Sequence, residues 1–100
     1  MKQKLKVIFR KYKDGDIIAL LPEIAYRYNY TVLSYMHIGQ HGEANYNHVI
    51  NKTVLANESE YSDLYNELKH IYDDSELIPM KKAKINYFVN QFLIWGLIFL

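Results

Sequence analysis

Residues 13–16, Lys-Asp-Gly-Asp, impose the strongest local constraint on this 100-residue chain. Asp-Gly supplies the positive φ that a tight hairpin needs. It lies between two runs of strand formers, residues 4–12 (KLKVIFRKY) and 17–21 (IIALL). In the first run Leu5, Val7 and Phe9 share one face, with Lys4, Lys6 and Arg10 nearer the other. Pro22 is expected to end the second run, because it offers no N–H to a ladder. An antiparallel hairpin therefore opens the fold.

The rest of the chain divides by periodicity. Residues 23–30 are ambiguous, with alternating tyrosines and a bend expected at Asn29. Residues 31–38 (TVLSYMHI) are apolar or aromatic on both faces, which predicts a central strand. Two Gly and two Asn within 39–47 predict a loop, and 48–55 (HVINKTVL) predict a further strand. The clearest helix covers 58–72. Asn57 is its N-cap and Glu60 the reach-back partner of a capping box. Tyr61, Leu64, Tyr65, Leu68, Ile71 and Tyr72 form its apolar stripe, and acids fill its first turn and outer face. Residues 76–80 predict a short edge strand, since Pro79 cannot donate.

The last sixteen residues, INYFVNQFLIWGLIFL, differ in kind. Phe88, Phe92, Trp95 and Phe99 share one helical stripe, but a bilayer span takes about 20 apolar residues. A C-terminal apolar helix over 85–100, packed on the sheet or on a second copy, is the expectation. Residues 1–84 then form one α+β domain: an antiparallel sheet of about four strands with the 58–72 helix on one face.

Half the residues are hydrophobic, 23% are charged, and there is no cysteine. That balance suits a folded domain and excludes a disulfide scaffold, a thiolate zinc site and a cysteine nucleophile. The apolar stretch before Arg10 is only three residues long, so no leader peptide is expected. The net charge of +1 hides segregation: residues 1–13 carry +6 and residues 58–76 carry −6. A basic first strand could hold nucleic acid, whereas Glu58, Glu60, Asp63 and Glu67 could stand in for phosphates before a basic channel.

Two further groups could carry function. His37, His41 and His48, with Glu43, offer metal ligands or acid–base chemistry around residues 35–48. However, His-x3-His is a helical ligand spacing, and Gly39 and Gly42 oppose a helix. No metal, cofactor or catalytic residue is therefore assigned. Ten tyrosines are the other group. Tyr28, Tyr30, Tyr35 and Tyr46 cluster at loops and strand edges, where tyrosine favours partner contact; His37 and His41 join that candidate surface.

Three segments together, VIFRKYKDGDIIALLPE (7–23), SYMHIGQHGEANY (34–46) and ESEYSDLYNELKHI (58–71), resemble small, mostly uncharacterised proteins of phages and mobile elements from Bacteroidetes-type bacteria. The resemblance implies a mobile-element origin and a cytoplasmic setting. By context it implies counter-defence proteins, anti-CRISPR inhibitors among them.

The leading expectation is a non-enzymatic binder that blocks nucleic-acid engagement by a bacterial effector protein or ribonucleoprotein complex. A homodimer through the C-terminal helix is a further expectation, and a membrane role is not expected. Two alternatives stay open: an RNA- or DNA-binding protein using the basic strand and tyrosines, and a histidine-dependent enzyme.

Overall fold

The computed structural model describes residues 3–25, 31–37 and 40–83. The elements are β1 (Gln3–Tyr12), β2 (Ile17–Ala25), β3 (Thr31–Met36), β4 (Gln40–Asn45), α1 (Tyr46–Lys52), β5 (Thr53–Leu55), α2 (Glu58–Ile71) and β6 (Ser75–Met80). They make an α+β fold on one six-stranded sheet. Strand order runs β4-β3-β2-β1-β5, all antiparallel, and β6 pairs β1 in parallel.

The hairpin forms as the sequence predicts. Gly15 N–H donates to the Tyr12 carbonyl at 2.9 Å, and Tyr12 N–H donates to the Asp16 carbonyl at 2.9 Å. Gly15 adopts φ +97°, so a three-residue loop turns on a left-handed glycine. Asp14 Oδ1 accepts from Asp16 N–H at 2.9 Å and closes the turn locally.

Alternation on β1 then sorts the chain into two cores. Leu5, Val7 and Phe9 face α2 and pack with Ala19, Leu21, Tyr35, Leu64, Leu68 and Leu77. Ile8 faces the other way and packs with Ile18, Leu20, Val32, Ala44, Tyr46 and Val49. Tyr61 stacks on Phe9 with centroids 4.3 Å apart, and Tyr65 tilts against the same ring at 5.7 Å.

The capping box on α2 is complete. Asn57 Oδ1 accepts from Glu60 N–H and Glu60 Oε1 accepts from Asn57 N–H, both at 3.0 Å. The helix ends at Ile71, with Tyr72 as its C-cap. Its fourteen residues span about 21 Å at 1.5 Å each. The six residues of β6 span about 20 Å at 3.3 Å each. The helix therefore returns the chain far enough for β6 to run back along β1.

Four sequence expectations need correction. The sheet has six strands, not about four. Residues 39–47 are not a loop: β4 occupies Gln40–Asn45 and pairs along β3 from Thr31↔Asn45 to Met36↔Gln40. Residues 48–55 are not one strand. Asn45 caps α1 by accepting from His48 N–H at 3.0 Å, and strand structure resumes only over Thr53–Leu55. Finally, β2 passes Pro22 and reaches Ala25, with a shift in pairing to β3 between Leu21 and Ala25. Such a shift is where a strand tolerates proline. The expected 85–100 helix lies outside the described residues.

Leu68 is fully buried between α2 and the sheet. Leu68→Ala is expected to destabilise the fold by about 2–5 kcal/mol, read from equilibrium urea unfolding. A change near zero would show that α2 does not seat on β1 and β2 through this side chain.

Candidate functional site

One row of residues runs across the α2 face of the sheet. The strand registers place Phe9 opposite Ala19, Ala19 opposite Tyr35, and Tyr35 opposite His41. The small Ala19 leaves room for α2 to seat against this row. At its β4 end the side chains turn from apolar to polar, and there the candidate residues gather.

Glu67, on the side of α2 toward β3, joins two of them. It accepts from the buried Tyr35 hydroxyl through Oε1, and its Oε2 lies 2.8 Å from His37 Nδ1. The His37 side chain is 73% exposed, so its partner orients the ring while leaving most of it in solvent. The His41 ring meets Tyr35 edge-on at 4.7 Å, and its Nε2 is 3.0 Å from the Tyr72 hydroxyl. Burial pushes the Tyr72 phenol up from its ordinary value, which keeps it protonated through neutral pH. Two imidazoles, a carboxylate and two phenols thus form one polar seam along β3, β4 and α2. Its chemistry is that of an oriented histidine–carboxylate pair beside a histidine–tyrosine pair.

The seam adds Glu67, which the sequence suggests only as part of an acidic helix face, to Tyr35, His37 and His41, which it suggests as one surface. Tyr72 belongs to it as well, although its helical spacing marks it only as an apolar contact. The remaining candidates fall elsewhere. Glu58 and Asp63 are exposed on α2. Glu60 is engaged at the capping box and in an ion pair with Lys11. Tyr46 is no surface tyrosine: it is buried on the opposite face, where its hydroxyl meets the backbone of Ala83 at 3.1 Å. His48 lies on α1, on that same face of the sheet, apart from His37 and His41. Tyr28 and Tyr30 lie outside the described residues. Among the described residues, no group of three or more His, Asp and Glu could hold a metal ion.

The basic segment is partly consumed by the fold. The Arg10 guanidinium donates to Thr53 Oγ1 at 2.9 Å and to the carbonyls of Thr53 and Ile50 at 2.8 and 3.2 Å. Lys11 is held by Glu60. Lys4, Lys6 and Lys13 remain exposed. Among the described residues, no helix is long and apolar enough to cross a membrane.

No family model matches this chain, and no curated protein or solved structure shows significant similarity to it.

Two predictions follow from these pairings. The Glu60 carboxyl is held below the usual carboxylate range, first by the Asn57 N–H and then by Lys11. A depressed carboxyl stabilises the fold above its ordinary value of about 4.3, and that contribution is lost as pH falls through the folded-state value. Urea midpoints of Glu60→Gln are therefore expected to fall less steeply than wild type on acidification below about pH 4. In contrast, Glu67→Ala removes the carboxylate acceptor of a buried phenol and is expected to cost about 1–3 kcal/mol. His37→Ala, at an exposed ring, is expected to cost about 0.5 kcal/mol or less. Equal losses in these two variants would contradict the assigned roles.

Proposed function

We propose that this chain is a small non-catalytic binding protein of phage or mobile-element origin. On this reading it inhibits a cytoplasmic bacterial effector, in the manner of an anti-CRISPR protein, by covering a basic nucleic-acid-binding surface. The carrying observation is the division of the acids on and just beyond α2. Glu60 and Glu67 are engaged within the fold, whereas Glu58, Asp63, Asp73 and Asp74 are exposed. Exposed carboxylates on the helix and in the turn that follows it steer a cationic partner and occupy positions that its phosphate ligands would take. The phosphate-mimic surface proposed here therefore consists of the four exposed acids, without Glu60 and Glu67.

The test is a reversal confined to exposed acids. Asp63, Asp73 and Asp74 are changed together to Lys, and proteins retained from host lysate are compared with those retained by wild type. A nucleic-acid-binding effector held by wild type, displaced by added DNA and lost in the triple variant is the expected result. Equal retention by both would remove the acidic surface from the mechanism. Direct RNA or DNA binding that weakens steeply with salt would transfer the function to the exposed lysines.

The His37–Glu67 pair favours a second reading, acid–base catalysis at the seam. A carboxylate that orients imidazole is a recurring general-base arrangement. Loss of an activity in His37→Ala and His41→Ala, with melting unchanged, would favour it over the binder.

A further inference from the structure

We infer that this chain docks on an anionic lipid surface, with the apolar run 85–100 entering the interface and the lysines around its attachment point against the headgroups. This goes beyond the proposed function, and it replaces the sequence expectation of no membrane role. The starting observation is where the run is attached. The Tyr46 hydroxyl donates to the Ala83 carbonyl and accepts from the Ala83 N–H, both at 3.1 Å. That ties Ala83 to the face of the sheet that carries α1. The run INYFVNQFLIWGLIFL begins two residues later and holds no charged residue.

Charge is sorted between the two faces of the sheet. Leu5 and Val7 face α2, so Lys4 and Lys6, which alternate with them, lie on the α1 face. Both are exposed, as are Lys81 and Lys82 just before Ala83. Among the described residues none of these four lysines is in an ion pair. Lys84 adds a further positive charge between Ala83 and the run. Two carboxylates lie near them: Glu76 pairs with Lys4 across the ladder, and Glu23 accepts from the Lys6 backbone N–H at 3.0 Å. Most other acids are held away. Glu43 pairs with Leu33 on the α2 face, and Glu58, Glu60, Asp63 and Glu67 belong to α2 itself. An anionic bilayer that approaches the α1 face therefore meets mainly cations.

The two features act together, because stable attachment takes apolar insertion plus a basic cluster. Each lysine near an anionic surface strengthens binding about fivefold. The run supplies Phe88, Phe92, Trp95 and Phe99 for insertion. Its polar residues, Asn86, Asn90 and Gln91, fall in its first half, nearer the lysines, so apolar content rises with distance from Lys84.

Trp95 is the chain's single tryptophan, so its emission reports on the run alone. The full chain is mixed with vesicles of equimolar phosphatidylserine and phosphatidylcholine, and with vesicles of phosphatidylcholine only. Flotation with the anionic vesicles, a blue shift of Trp95 emission on binding, and binding that weakens with salt are the expected results. Lys81→Gln with Lys82→Gln should weaken binding about 25-fold, with melting unchanged because both side chains are exposed. Phe92→Asp with Ile94→Asp should abolish the blue shift while keeping the reporter. Any of three results overturns the proposal. One is a full chain that stays unbound on the anionic vesicles at low salt. Another is binding that is equal on both vesicles and indifferent to the lysine variant. The third is Trp95 emission that is already blue-shifted without vesicles and unchanged by them, which would assign the run to the sheet or to a second copy.

Discussion

The fold depends on β1 being paired along both sides. Its ten residues take β2 on one side, and on the other they take β6 along Gln3–Ile8 and β5 along Arg10–Tyr12. The two short strands meet near Phe9 from opposite directions, since β5 is antiparallel and β6 parallel to β1. That arrangement requires a return element of about β6's own length between them, and α2 supplies it. Phe9 is also where the helix seats, through Tyr61 and Tyr65. One side chain thus closes the sheet's junction and anchors the helix covering it, and the gap between the two strand ends becomes the groove at the base of α2.

What could be read from the residues separates by range. The hairpin and the start of α2 rest on local chemistry. Gly15 provides positive φ, and Asn57 with Glu60 completes a capping box within four residues. The faces of β3 are legible too, because Val32 and Met36 alternate with Leu33 and Tyr35 across the two cores. By contrast β4 is hidden, since its inward residues are Gly42 and Ala44, which carry little apolar signal. Its strand state comes from the ladder to β3, a pairing that no local propensity records. The β-branched residues of 48–55 mislead in the other direction. Tertiary context makes a helix of Tyr46–Lys52, with Tyr46 and Val49 buried one turn apart and Arg10 holding its end through Ile50 and Thr53.

The site was legible as residue types but not as an assembly. His37 and His41 stand out in the sequence for their spacing, and Glu67 for its charge. Their meeting depends on two things the sequence does not display: the β3–β4 register that sets His41 beside Tyr35, and the helix placement that brings Glu67 to Tyr35 and His37. Tyr72 joins only because α2 ends where its hydroxyl can reach His41.

The segregation of charge along the chain has a structural consequence of its own. The basic first strand and the acidic helix are far apart in sequence, but α2 lies on β1, so Lys11 and Glu60 meet. Arg10, on the opposite face, is turned to the end of α1 instead. The fold thus neutralises the two blocks where they touch, near the start of α2, and leaves the rest of each exposed at separate places. Past that contact, Asp63, Asp73 and Asp74 remain in solvent. Glu58, beside the cap, is exposed as well, so the uncompensated acids lie at both ends of α2 and at its middle. The acids past its C-terminal end oppose the helix dipole, which favours cations there. Asp73 and Asp74 instead belong to the turn that Ser75 N–H closes onto the Tyr72 carbonyl at 3.0 Å, a setting that favours aspartate whatever the dipole does, while Lys69 and His70 supply cations to the last helical turn.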